Sequence, residues 1–153
     1  MADVKVIKDG HGQIELNRCS FLHDGNIESQ CLAAEDLDNG MIVAIDKVAG
    51  TVSKVTKGAE ADTSKVYGVN YTAERIYDQF NPGRKNFFVE GNKDYPRVGI
   101  LKAGDIFSTN AYLVNETNAP KEGTVETYGG VKLLVAEITD TADGQTAVKY
   151  QVL

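Results

Sequence analysis

Every histidine and cysteine of the chain lies within residues 11–31: His11, Cys19, His23 and Cys31. Two cysteines and two histidines can together form a tetrahedral zinc site. Zinc modules bring their ligands in close pairs, however, and only Cys19 and His23 have that spacing. The alternative is that the cysteines are small buried hydrophobic residues and the histidines lie in exposed loops. We favour this alternative and predict neither zinc nor a disulfide.

The other candidate chemistries lack essential parts. A cysteine nucleophile paired with histidine needs an orienting third group and an oxyanion pocket, and the pattern around Cys19 and His23 shows neither. Close carboxylates such as Glu35 and Asp36 are more typical of solvated turns than of a glycosidase cleft or a calcium loop. Residues 99–104 lack the Gly-Lys-Ser/Thr order of a phosphate loop. The sequence therefore predicts a protein that is not an enzyme and has no cofactor.

Charge and hydropathy limit the partners. With 22 acidic and 16 basic residues the formal net charge is −6, which opposes binding to nucleic acid. No apolar run reaches the roughly 20 residues of a membrane helix. The charged start of the chain lacks the hydrophobic core of a secretion signal. We therefore expect a protein made in the cytoplasm, with reduced thiols and no affinity for nucleic acid or membrane.

Short β-rich runs separated by Gly, Asn, Asp and Lys turns dominate the sequence, and 153 residues suffice for one domain with its own core. This pattern predicts a mainly β fold, a single-domain antiparallel β-sandwich or β-barrel with one or two short helices. The predicted strands are residues 41–45, 52–55, 66–71, 86–89, 98–101, 106–107, 112–114, 131–135 and 147–153.

Two hairpins and two helical segments can be placed within this pattern. Residues 41–45 and 51–55 form one predicted hairpin, and residues 132–139 and 147–153 form another around a turn at Asp143-Gly144. A short helix is expected from Thr72, a suitable N-cap, to Phe80, because Pro82 and Gly83 end the run. A single helical turn is also expected within residues 29–37.

Residues 1–31 differ from the remainder because their apolar side chains follow neither a period of 2 nor one of 3.6. We predict that they form an extended N-terminal arm and that residues 32–153 form the β body. An extended arm can add a strand to a partner's sheet. The candidate contact residues of the arm are its larger apolar side chains, Val4, Val6, Ile14, Leu16, Phe21 and Leu22.

Aromatic and basic residues are interleaved in the middle third of the chain. This composition is typical of the energetic centre of a protein interface, although half of the aromatics could simply fill the core. The candidate contacts, with a partner or between copies of the chain, are Tyr77, Phe80, Arg84 and Lys85.

The order of strands and turns also resembles a known family. Residues 40–46, the Gly50-Thr51-Val52 junction, residues 65–69 and residues 95–107 together resemble the head-decoration, or capsid-cementing, proteins of tailed bacteriophages. The resemblance covers residues 32–114 and rests on element order, without a diagnostic motif.

This resemblance implies a β-sandwich or β-barrel body, an arm lying on the capsid lattice, and trimers at local three-fold positions. The implied partner is the major capsid protein, the implied location is the capsid surface of the virion, and no catalytic residue is implied. The chain departs from the family by its greater length and by residues 72–85. Two alternatives stay open: a structural protein of the phage tail or baseplate, and a small metal-binding or enzymatic β-domain, which would explain the His/Cys stretch.

Overall fold

The computed structural model describes residues 14–72, 89, 91–109, 121–140 and 146–153. The predicted mainly β fold is confirmed, since these residues form two sheets in a sandwich-like arrangement with almost no helix. The described strands are β1 (Ile14–Arg18), β2 (Ile27–Glu28), β3 (Leu32–Ala33), β4 (Ile42–Asp46), β5 (Thr51–Lys54), β6 (Val66–Asn70), β7 (Val98–Ile100), β8 (Ile106–Thr109), β9 (Val125–Tyr128), β10 (Val131–Asp140) and β11 (Thr146–Val152). A single helical turn, α1 (Phe21–Asp24), follows β1.

The strand order is β1-β8-β11-β10-β9 in the five-stranded sheet and β2-β7-β6-β4-β5-β3 in the six-stranded sheet. All described pairs are antiparallel except β3 with β5. Both predicted hairpins are confirmed: β4 pairs with β5, and β10 pairs with β11. The turn predicted at Asp143-Gly144 lies outside the described residues.

The main core lies between the two sheets. From the five-stranded sheet, Phe107, Leu133 and Tyr150 point inward and are almost completely buried. Ile42 and Ala44 of β4 face them from the six-stranded sheet. The period of 2 in each strand sends alternate side chains to this core, which is how two sheets of short strands bury one shared interior.

A second core covers the opposite face of the six-stranded sheet. Val43 and Ile45 of β4 pack there with Leu37 and Val89, which bond to each other through their backbones at 3.0 and 3.1 Å. Strand β4 is therefore buried on both faces. This double burial explains why residues 41–45 form a continuous apolar run instead of an alternating one.

The structure corrects the predicted extent of the N-terminal arm, because residues 14–31 belong to the β body. Strand β1 pairs with β8, and the Phe21 side chain is fully buried in the main core. A Cβ atom on Gly99 would lie 2.4 Å from the Phe21 ring, so the ring occupies the space that this glycine leaves. A strand, a helical turn and another strand follow within a few residues, and no single period can describe them. Residues 1–13 lie outside the described residues.

The helical turn predicted within residues 29–37 is also wrong. This stretch contains β3, and the backbone amides of Ala33 and Ala34 bond to the carbonyls of Asp94 and Val52. Long-range backbone pairing has overridden a weak local preference. The segments predicted at residues 73–80, 86–88 and 112–114 fall outside the described part. Within that part, no helix has the length and apolar character to cross a membrane.

Candidate functional site

The described residues include four of the six predicted arm contacts, and the side chains of Leu16 and Phe21 pack inside the body. Ile14 lies on β1 opposite Thr109, Leu16 packs against the main core, and Phe21 is fully buried. Leu22 has 50% of its surface exposed and is available to a partner. The other predicted contacts lie outside the described residues: Val4, Val6, Tyr77, Phe80, Arg84 and Lys85.

The described histidine and cysteines do not assemble a metal site. Cys19 lies in the main core and Cys31 in the second core, while His23 is exposed on α1. His11 lies outside the described residues. Among the residues that are described, no group of three His, Cys, Asp or Glu side chains could hold a metal ion. Both cysteines are free thiols in this structure, and the absence of a disulfide in the native protein stays a prediction.

Cys19 has the environment of a structural thiol. Its sulfur donates to the carbonyl oxygen of Ile106 at 3.4 Å, and only 2% of the residue is exposed. Burial, with a contribution from the nearby Asp105 carboxylate, raises the pKa of Cys19 to about 11. Since the thiolate is the nucleophilic form, this cysteine is poorly suited to catalysis at neutral pH.

The Asp105 carboxylate ties α1 to the five-stranded sheet. Its Oδ1 accepts the Ser20 amide at 3.0 Å, and its Oδ2 accepts the Ser20 hydroxyl at 3.3 Å and the Lys102 amide at 2.9 Å. Asp105 is 4% exposed. Its hydrogen bonds therefore satisfy a buried charge and fix the position of the Phe21 side chain, which begins α1.

The most unusual polar group in the interior is Glu126, on β9. It is 3% exposed, and its Oε1 accepts hydrogen bonds from the hydroxyls of Tyr150 at 2.8 Å and Tyr128 at 3.2 Å. Its Oε2 accepts no hydrogen bond of good geometry and lies 3.1 Å from the Lys57 ammonium nitrogen. Burial, together with the nearby Tyr128 and Glu126, raises the pKa of Tyr150, so this phenol keeps its proton and donates.

Lys57 reaches Glu126 because its own segment lies along the edge of β9. The Gly58 amide donates to the Thr127 carbonyl at 2.6 Å, and the Gly129 amide donates to the Ala59 carbonyl at 3.1 Å. This segment follows β5, so the Lys57–Glu126 contact joins the two sheets. A carboxylate bound in this way by two phenols and one cation is suited to holding the fold together. Sequence reasoning missed it, although Glu126 and Tyr128 alternate with outward residues and so share the inward phase of β9.

Hydrogen bonds hold the described residues on either side of the aromatic and basic segment at residues 73–88. The Asn39 side-chain amide donates to the Thr72 carbonyl and accepts the Thr72 amide, both at 2.8 Å. Thr72 also donates its hydroxyl to Asn70 Oδ1 at 2.6 Å. At the other end, Val89 bonds to Leu37. Thr72 and Val89, the described residues on either side of that segment, are thus bonded to Asn39 and Leu37.

Two described aromatics of the middle third, Tyr67 and Tyr71, pack within the body. The Tyr67 ring packs against Gly129 and Gly130 of the other sheet, and its hydroxyl accepts the Asp62 amide at 3.0 Å. The Tyr71 and Phe21 rings have centroids 5.1 Å apart. Tyr67 and Tyr71 therefore fill space in the body.

The larger exposed apolar side chains among the described residues lie on different elements. They are Leu22 (50% exposed), Val48 (98%), Tyr95 (59%), Val125 (53%) and Leu153 (54%). Val48 stands at the tip of the β4–β5 hairpin, where Asp46 Oδ1 accepts the amides of residues 48 and 49 at 3.1 Å. The hairpin tip is thus held in a fixed turn with its valine in solvent.

Comparison of the chain with protein-family models, with curated proteins and with solved structures gave no match. The family resemblance drawn from the order of strands and turns therefore stays a prediction.

Proposed function

We propose that this protein is a structural virion protein that binds the outer surface of a tailed-phage capsid and stabilises it. The observation that carries the proposal is that the described interior and surface side chains have different roles. Reactive and charged groups in the interior hold the fold together, whereas apolar side chains are presented on the surface. This division is typical of a protein that works by binding.

The contacts of the interior groups that could do chemistry support the proposal. Cys19 is a protonated, buried thiol bonded to a backbone carbonyl. Glu126 is enclosed by two phenols and by Lys57. A general acid or base must come within hydrogen-bond reach of a substrate, and Glu126 is almost completely shielded by the protein. These contacts support a structural role for both residues.

The fold also supports the proposal. The body consists of two packed sheets of short strands, and backbone hydrogen bonds of residues 58 and 59 hold the loop after β5 to the edge of β9. A protein that binds assembled capsid but not free subunits stabilises the assembly by mass action. The predicted trimer at local three-fold positions would multiply this effect through avidity.

We expect a major capsid gene among the neighbours of the gene for this chain, and the test uses empty shells assembled from its product. We expect the purified protein to cosediment with these shells to a fixed stoichiometry and to raise the temperature at which they open. Shells of an unrelated phage serve as the control. No cosedimentation with the cognate shells would refute the proposal.

Labelling of intact virions distinguishes a location on the head from a location on the tail. Antibody against the chain should mark the head in electron micrographs. Marking confined to the tail or baseplate would replace the capsid assignment with the alternative structural role. Light scattering of the free protein tests the expected trimer separately.

A further inference from the structure

The outward face of the five-stranded sheet carries a continuous row of side chains in register. Val125 is opposite Leu134, Leu134 is opposite Gln151, and Gln151 is opposite Ile106. Side chains opposite one another in antiparallel strands lie about 5 Å apart at Cβ, so this row is a contiguous strip. Val125 is 53% exposed, and neither Leu134 nor Ile106 is among the residues that pack against the two cores.

Leu153 extends this strip. Its amide donates to the Lys132 carbonyl at 3.0 Å, which places it diagonally from Leu134, and 54% of its surface is exposed. Together we call these four apolar residues the outer patch: Ile106, Val125, Leu134 and Leu153. Single exposed apolar residues are ordinary on protein surfaces, but a contiguous group on one sheet face indicates a contact site.

The cations around the outer patch are available for a partner. Arg18 is opposite Ile106, Lys132 is opposite Thr127, and Lys149 is opposite Ser108. No ion pair between described residues involves any of these three. By contrast, ion pairs engage other described lysines, namely Lys47, Lys54, Lys57 and Lys102.

Carboxylates on this face are fewer. Their positions lie at the end of the face away from Lys132: the exposed Glu137 is opposite Lys149, and Glu15 is opposite Ser108. Arg18 and Lys132 therefore form a basic rim on a chain whose net charge is −6. A partner that matches this face has an apolar centre and carboxylates at its edge.

We propose that the outer patch is the surface with which this protein docks on the major capsid protein, at an apolar site rimmed by carboxylates. This inference rests on the proposed function and adds the contact face and its chemistry. Two copies of the chain joined symmetrically through the same face would bring two basic rims into one interface. Such a dimer would be opposed by like-charge repulsion, whereas an acidic capsid surface would not.

Two variants test the patch, and each has a matched control. Val125→Glu places a carboxylate in the strip, and Val48→Glu makes the same change at the fully exposed hairpin tip of the other sheet. Lys132→Glu reverses a rim charge, and Lys65→Glu reverses a charge just before β6. All four proteins should keep the wild-type unfolding midpoint to within a few degrees. Affinity for the cognate empty shells is measured by cosedimentation at two salt concentrations.

We expect Val125→Glu and Lys132→Glu to weaken shell binding at least tenfold, and the Lys132 variant to lose part of the salt dependence. The two controls should bind like the wild type. If the wild type binds but both patch variants bind equally well, or if the controls weaken to the same degree, the docking face is wrong and the proposed function stands. A change in the mass of the free protein caused only by Val125→Glu would assign the patch to contacts between copies and overturn the capsid assignment. If the wild type itself fails to bind, both proposals fall.

Discussion

Replacement of Phe21 by alanine tests whether residues 14–31 belong to the β body. The Phe21 ring is fully buried, lies 5.1 Å from the Tyr71 ring, and fills the space above Gly99. Loss of a buried phenylalanine costs about 3–5 kcal/mol, and the aromatic pair adds about 1 kcal/mol beyond area burial. We therefore expect Phe21→Ala to lower the free energy of unfolding by about 4 kcal/mol.

The neighbouring residue supplies the control. Leu22 is adjacent in sequence but 50% exposed, so Leu22→Ala should change the free energy of unfolding by no more than about 1 kcal/mol. Urea unfolding followed by far-UV circular dichroism measures both variants. With a slope of roughly 2 kcal/mol per molar urea, the Phe21 variant should unfold about 2 M earlier than the wild type.

A second substitution tests the same contact from the opposite side. Gly99→Ala would place a methyl group within 2.4 Å of the Phe21 ring and should cost about 1–3 kcal/mol through overpacking. In the Phe21→Ala background this cost should nearly vanish, because the ring is gone. A Phe21→Ala loss below about 1 kcal/mol, or equal costs of Gly99→Ala in both backgrounds, would show that Phe21 is not packed in the body. The arm would then extend over residues 14–31 after all.

Two further predictions concern buried ionisable groups. Glu126→Leu deprives two buried phenols of their acceptor and should lower the free energy of unfolding, measured in urea, by about 3 kcal/mol. The control Glu137→Leu, on the exposed part of β10, should lower it by less than about 0.5 kcal/mol. Equal losses would contradict the structural role of Glu126. The pKa of Cys19 is about 11 in the folded protein and near 9 when exposed, so the unfolded chain loses this proton first and stability should fall as the pH rises from 9 to 11. Cys19→Ala should show a shallower decline across that range in urea midpoints, and parallel curves for the two proteins would refute the assignment.

Local signals were sufficient for the hairpins and the fold class. The alternation in residues 131–135 and 147–153 specifies which side of β10 and β11 faces the core. The two strands pair with each other, and Leu133 of β10 lies opposite Val152 of β11. A one-residue slip would place the apolar set in water, so the pattern alone specifies which face of each strand is buried. The continuous apolar run of β4 likewise predicted a strand, because burial on two faces requires apolar residues at every position.

Local signals failed wherever the partner of a residue lies far along the chain. The side chain of Phe21 is buried only because Gly99 leaves room for it, and β3 exists only because the backbone of residues 33 and 34 bonds to residues 94 and 52. No window of sequence around residue 21 or residue 33 contains this information.

The candidate sites show the same difference between local sequence signals and long-range contacts. The sequence by itself determined that the chain is acidic, rich in β-structure and without a recognisable catalytic motif. Only the tertiary structure decided that Glu126 is enclosed by Lys57, Tyr128 and Tyr150, which come from three different parts of the chain. The tertiary structure also decided that Val125 and Leu134 lie side by side on an outward face. Strand order and register determine which exposed residues become neighbours, and both arise from packing of the whole chain.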